Sequence, residues 1–187
     1  DPRVGQSAAE FLETASYESL VRAVREYGEE KRWRRVVEAI IQARGTGLLS
    51  RTMSAAEMVS NAVGGRNFRQ RIHPATKTFQ GIRIAINGEL EALAVTLPKA
   101  FRALKEGGVL AVISFHSLED RIVKRFMRKM AGRPESKYDG RAQQDRVVCA
   151  KLNGSKAIFP GKEEVENNPR SRSARLRFLT KLKQPEL

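Results

Sequence analysis

Ile113-Ser-Phe-His-Ser-Leu-Glu-Asp-Arg-Ile-Val-Lys-Arg-Phe126 changes periodicity in its middle, and that change decides the fold. Val109 to Phe115 is a short, almost purely apolar run behind Gly107-Gly108, the pattern of a buried strand. From Leu118 the apolar residues fall at Leu118, Ile122, Val123 and Phe126, one face of a helix. The polar cluster Ser114, His116, Ser117, Glu119, Asp120 and Arg121 therefore sits at or just beyond the strand's carboxyl end. In an open α/β sheet that end is where ligands bind, because the sides of the strands are covered and their ends open into a crevice.

Upstream of the strand, apolar residues recur at Phe79, Ile82, Ile86, Leu90, Leu93, Leu97, Phe101 and Leu104, the longest periodic signal in the chain. Asn87-Gly88 and Pro98 interrupt it, so two helices or one bent helix are expected, opening just after Pro74. Helix, glycine turn, strand, helix is an α/β order. Further upstream the pattern is helical throughout. Ser7-Ala-Ala-Glu10 and Ser54-Ala-Ala-Glu57 have capping-box spacing, Leu20, Val24 and Tyr27 share a face until Gly28, and Trp33, Val37, Ile40 and Ile41 resume a stripe. Lys31, Arg32, Arg34 and Arg35 within it face either a phosphate backbone or water. Arg66, Arg69, Arg71 and His73 form a basic connection after Gly64-Gly65, and a domain boundary is placed there: residues 1–72 all-helical, 73–187 α/β.

Downstream, 132–145 reads as an exposed loop and 146–152 as a candidate strand, followed by a short acidic helix within 160–168. Ser173 to Leu182 nearly alternates, with Ala174, Leu176, Phe178, Thr180 and Leu182 on one side and Arg175, Arg177, Leu179 and Lys181 on the other. This predicts a half-buried terminal strand, paired with the strand around Val148. Arg170, Arg172, Arg175, Arg177, Lys181 and Lys183 form a basic tract whose alternating members would track a phosphate backbone or guard a solvated edge.

The 187 residues suit one domain or a domain and a part, and carry a formal charge of +14 from 35 Lys and Arg against 21 Asp and Glu. That excess attracts polyanions, so nucleic acid is the first partner to consider. A single cysteine, Cys149, excludes an internal disulfide and a Cys-based zinc site, and no metal is expected with only His73 and His116 as histidines. Nothing approaches a membrane span or an amino-terminal signal. Composition and patterning alone stop at a basic α/β domain with a helical appendage that acts on or binds RNA, a non-enzymatic ribosome-associated protein being the rival.

Three segments carry a resemblance further: His73-Pro-Ala-Thr-Lys-Thr-Phe-Gln-Gly-Ile-Arg-Ile-Ala-Ile-Asn-Gly-Glu-Leu90, the stretch 113–126, and Asn168-Pro-Arg-Ser-Arg-Ser-Ala-Arg-Leu-Arg177. In this order they resemble the MraW-type (RsmH) family of small-subunit ribosomal RNA (cytosine-N4)-methyltransferases; Ser7–Glu10 and Arg25–Glu30 are similar to the start of that family's helical insertion. The resemblance implies a partial class I, Rossmann-like methyltransferase sheet interrupted by a small all-helical domain, with Val109–Phe115 as the fifth strand and the later strands as the antiparallel end. It implies S-adenosylmethionine as cofactor and a cytidine of the decoding region as acceptor. The implied partners are small-subunit RNA or the assembling subunit, a homodimer being left open, and the implied setting is the cytoplasm, or an organelle with bacterial-type ribosomes. The family's glycine-rich cofactor turn and its acidic residues precede the position of Asp1. We therefore expect the amino-terminal part of the same protein to be the missing partner and this chain alone neither to bind cofactor nor to turn over, its cofactor-binding residues being left unassigned.

Within that frame the candidate catalytic residues are His116, Ser117 and Asp120. Cytosine N4 is a poor nucleophile, its lone pair drawn into the ring, so the site must hold the base edge and handle a proton. Neutral imidazole can accept a proton near neutral pH. Ser117 and Asp120 also have the spacing of a helix cap, and that reading is the stronger for both. Phe115 reads as core rather than as a stacking surface. Candidate RNA contacts are Lys77, Thr78 and Arg83 in the first motif, Arg121 in the second, and Arg170, Arg172 and Arg175 in the third.

Overall fold

A computed structural model of the protein describes residues 5–65, 72–154 and 156–184, and the chain forms two compact units, Asp1–Glu89 and Leu90–Leu187. Arg66, Arg69 and Arg71 of the expected basic connection lie outside the described residues.

The first unit is helical among its described residues. Ser7 caps α1 (Ala8–Thr14), accepting from the Glu10 N–H at 3.1 Å as its spacing predicts. Ser16 caps α2 (Tyr17–Val21), which runs into a π-helical turn, Arg22–Tyr27. Helix α3 (Trp33–Ala43) and α4 (Thr52–Ala62) follow. The expected cap at Ser54 is not formed: Ser54 lies inside α4, and Arg51 holds the cap position without a side-chain bond. Arg44 ties α1 down by donating to the carbonyls of Leu12 at 3.0 Å and Ala15 at 2.6 Å. Part of the basic run has local work as well, since Arg32 donates to the Val63 carbonyl at the end of α4 and Arg34 stacks over Trp33.

Helix α5 (Thr76–Asn87) completes this unit. Ile82 joins Leu20, Val24, Val37, Ile40 and Val59 in one core, so the compact unit runs past residue 72 to Glu89. Gly88, at φ +58°, ends α5 in the left-handed region, and α6 (Glu89–Ala103) starts at once. The interrupted stripe is thus two helices.

In the second unit β1 (Val109–Ser114) leads into α7 (Ser117–Met130), then β2 (Ala150–Leu152), α8 (Lys162–Asn167), a 3-10 turn over Pro169–Ser173 and β3 (Arg175–Lys181). The sheet order is β1-β3-β2 and both pairings are antiparallel, with Val109 opposite Thr180 and Ser114 opposite Arg175. Strand β3 is central, paired with β1 as well as β2. The strand expected over 146–152 shrinks to three residues, leaving Val148 only an isolated bridge to Ala131, because Arg146 is held in the preceding loop by Asp139 at 2.9 Å. Leu97 and Phe101 of α6, Val123 and Met127 of α7, and Cys149, Ala150 and Leu179 form the core.

A predominantly helical chain with one small three-stranded sheet is what a partial Rossmann-like methyltransferase sheet with a helical insertion requires. The covered face of that sheet is not the one its apolar residues suggest. Leu179 and Lys181 are buried and Arg177 is largely so, whereas Val109, Ile113 and Leu182, whose side chains alternate to the other face, are about half exposed. The arginine-bearing side of β3 therefore lies under the helices, and its alternating cations cannot track a phosphate backbone together.

Candidate functional site

The turn from β1 into α7 is built by its own side chains. His116 has extended backbone (φ −140°, ψ 167°) and is the N-cap of α7, its Nδ1 accepting from the Glu119 N–H at 3.3 Å. Glu119 reciprocates, one carboxylate oxygen accepting from the Phe115 N–H at 2.8 Å and the His116 N–H at 3.2 Å. This is a capping box with histidine in the place usually held by serine or threonine. The cap expected at Ser117 with Asp120 is thus shifted by one residue: Ser117 is the first helical residue and Asp120 is occupied elsewhere.

Asp120 is buried, and its carboxylate faces β3. Arg177 Nε donates to Oδ1 at 2.6 Å and Arg177 Nη2 to Oδ2 at 3.1 Å, while Arg175 Nη1 reaches Oδ2 at 3.3 Å. Such a fork fixes the start of α7 over the middle of the sheet. Burial would raise the Asp120 carboxyl, but the bonds and charge of Arg177, reinforced by Arg175, hold it below its ordinary value. Glu119 shows the same contest. Burial raises it, and the contact with the His116 ring together with the Phe115 and His116 backbone N–H groups outweighs that and brings it to about 2.

With Nδ1 engaged as an acceptor, the neutral His116 ring carries its proton on Nε2. That atom is buried, lies 3.3 Å from Glu119 Oε1 without hydrogen-bond alignment, and has no hydrogen-bond partner among the described residues. The site therefore offers an N–H donor. To act as a proton acceptor at Nε2, the neutral ring would have to give up the cap. Phe115, expected in the core, is 54% exposed, because the strand's alternation turns it to the open face of the sheet.

The predicted RNA residues are placed unequally. Lys77, Arg121, Arg170 and Arg172 are exposed. Arg175 divides its guanidinium between Asp120 and the ring of Phe159, 5.9 Å away. Arg83 is exposed but pairs with Glu89 through two bonds of 2.8 and 2.9 Å, and it lines a cleft of about 470 Å³ within the helical unit. Thr78 is corrected: it is wholly buried, its Oγ1 without a hydrogen-bond partner among the described residues, and RNA cannot reach it in this packing. Sequence reading missed Arg177 as the anchor of α7, for it stands 57 residues from Asp120 and no local spacing marks the pair.

No described helix is long and apolar enough to cross a membrane. A family model described as the MraW methylase family matches residues 1–182. A protein named ribosomal RNA small subunit methyltransferase H from Nitrosococcus oceani is 50% identical over 182 residues, covering 97% of this chain and 57% of that relative. Its namesake from Acidithiobacillus ferrooxidans is 47% identical over 95% of this chain and 54% of its own length, and that from Nitrosomonas eutropha 44% identical over 97% and 59%. The chain thus spans somewhat over half the length of the curated relatives it matches.

Proposed function

The chain belongs to the MraW methylase family, and on that premise we propose that it is the larger part of an enzyme that methylates N4 of a cytidine in the decoding region of small-subunit ribosomal RNA. The observation that carries this reading is the match over 182 residues to relatives named as small-subunit ribosomal RNA methyltransferases. In that frame residues 1–72 are the helical insertion and 73–187 the returning part of the catalytic α/β domain.

S-adenosylmethionine is the methyl donor this reading calls for, and it supplies the electrophilic methyl when bound. The described residues do not fit it. The tight turn from strand to helix at the site, β1 to α7, passes through Phe115 and His116, with no glycine that would let backbone approach the donor, and the longer connection from β2 to α8 is not a strand–glycine turn–helix unit. No step is therefore routed through the cofactor, and its cradle is assigned to the amino-terminal part of the same protein. Two features favour that part as the partner: Val109, Ile113 and Phe115 leave one sheet face apolar and open, and β1 pairs on one side only among the described residues.

The chain's own residues hold the acceptor base. His116 Nε2–H is buried in this packing, so the reading requires RNA docking to shift the groups that cover it; uncovered, it donates to an acceptor on the pairing edge of an extruded cytosine, its N3 or O2, and so orients N4 without taking its proton. Ser117, next along the turn, borders the same edge. Asp120 acts as a positioning residue, clamping α7 to β3 through Arg177. Lys77, Arg121, Arg170 and Arg172 hold phosphates and set register without reading sequence.

The test is transfer of a labelled methyl group by the whole protein to small-subunit RNA. His116→Ala should cut transfer much more than RNA binding; equal loss of both would remove His116 from base positioning. RNA binding without any transfer would leave a ribosome-associated binding protein in place of the enzyme.

A further inference from the structure

Helix α7 carries a surface that the strand exit does not use. It buries Leu118, Val123 and Met127, and outside them stand Arg121, Lys124, Arg125, Arg128 and Lys129 with no acid among them. At about 100° per residue the five span an arc of roughly 140°, and Arg121 lies about 12 Å from Lys129 along the axis. The helix's two acids are both engaged, Glu119 in the cap and Asp120 on Arg177. The loop that follows is arranged differently: there Arg141 and Arg146 are neutralised by Asp139, and Arg141 also by Glu135. Lys124, Arg125 and Lys129 form no ion pair among the described residues.

Such a face works against the helix that bears it. Arg121 with Arg125, Lys124 with Arg128, and Arg125 with Lys129 are like charges at i,i+4, each destabilising by about 0.2–0.5 kcal/mol. The helix field accounts for Arg128 and Lys129 in the last turn, but it has faded by Lys124 and Arg125. Lys129 also forms the rim of a cleft of about 270 Å³, where Arg133 stands beside it and Arg141 and Arg146 are already paired with acids of the loop. A polyanion offsets this repulsion. No large apolar side chain is exposed on α7 to anchor in a bilayer or to form the dry centre of a protein interface, Leu118 being buried.

We infer that the outer face of α7, centred on Lys124, Arg125 and Lys129, seats the phosphate backbone of an RNA strand. A stripe of this length is long enough to face several successive phosphates of one strand. The contact fixes register and carries no base specificity. The inference rests on the proposed RNA substrate and adds a surface to it.

The experiment measures binding of the whole protein to a small-subunit RNA fragment over a range of salt, for wild type and for Lys124→Gln/Arg125→Gln/Lys129→Gln. The triple variant should lower the slope of log affinity against log salt by about 2–3 and weaken binding about a hundredfold at 0.1 M salt. Its melting temperature should be unchanged or slightly raised, since repulsion is relieved and glutamine suits a helix surface. Lys99→Gln/Lys105→Gln/Lys162→Gln removes the same charge elsewhere and should keep the wild-type slope. If wild type binds and the α7 variant matches it in slope and affinity, this surface is overturned and the RNA reading stands. If wild type itself does not bind the fragment, the RNA reading falls and takes the surface with it. Unchanged binding to naked RNA with lost binding to protein-containing small subunits would assign the face to an acidic protein and overturn the inference.

Discussion

Arg177 grips Asp120 with two parallel bonds, Nε to Oδ1 at 2.6 Å and Nη2 to Oδ2 at 3.1 Å, and both side chains are largely shielded from water. The pair joins the first turn of α7 to the central strand, so the candidate site's geometry depends on a contact distant in sequence. Removing one partner leaves the other charge under the helix. Asp120→Asn or Arg177→Met should each cost about 2–4 kcal/mol in denaturant unfolding, and the double variant less than the sum of the two. Strictly additive losses would mean the two side chains are not coupled.

The capping box makes an acid-sensitive element of the same turn. Glu119 sits near 2 in the fold against an ordinary 4.5, so its contribution is complete above about pH 4.5 and is lost as the pH falls from there towards 2. Glu119→Gln can still accept the backbone bonds but has no charge to lose. Between pH 5 and 2.5 the wild type should therefore lose about 1 kcal/mol more stability than Glu119→Gln, a figure already reduced for the solvent that reaches the pair. Parallel stability curves for the two proteins would show that the carboxylate is not the titrating contributor.

Lys181 resolves a burial that looks unfavourable. Its ammonium is shut away from water, yet it donates to the carbonyls of Phe101 at 3.1 Å, Arg102 at 3.2 Å and Leu104, and it lies 5.3 Å from the Phe101 ring. These are the orphan acceptors at the end of α6, where the helix field also favours a cation. Lys181→Met keeps much of the volume and leaves the Leu104 carbonyl without its ammonium donor, while the Phe101 carbonyl keeps the Leu104 N–H at 3.3 Å and the Arg102 carbonyl keeps Gln184 at 3.2 Å. Unfolding free energy should fall by about 1–3 kcal/mol, and a change under about 0.5 kcal/mol would mean water replaces the ammonium at no cost.

These anchors explain what the sequence could and could not disclose. The apolar run behind Gly107-Gly108 and the Ser7 cap are local signals, and both elements form where local physics puts them. The cap expected at Ser117 and Asp120 moves to His116 and Glu119, which have equal spacing, because Arg177, from the far end of the chain, occupies Asp120. Alternation along β3 defines two faces but not which is covered. The charged one is, because Asp120 and the α6 carbonyls receive its cations. Gly28 read as a helix break; its φ is ordinary, and what the position requires is the absence of a side chain.

That requirement gives the sharpest test of the helical unit. The π-helical turn packs on α5 so closely that a Cβ on Gly81 would stand 1.9 Å from the Ala23 carbonyl oxygen and 2.6 Å from the Gly28 nitrogen. Both obstacles are backbone, so no side chain can swing aside. Alanine would gain about 1 kcal/mol in helix propensity at Gly81, but α5 would have to withdraw from a core that includes Ile82, Leu20 and Val24. Gly81→Ala should therefore destabilise this unit by a net 3 kcal/mol or so, at the upper end of overpacking costs, and Gly28→Ala, whose Cβ would meet the Lys77 carbonyl oxygen at 2.7 Å, by somewhat less. Thermal melts followed by far-ultraviolet circular dichroism would register both losses. A Gly81→Ala protein melting at or above the wild-type temperature would show that α5 and the turn do not approach this closely.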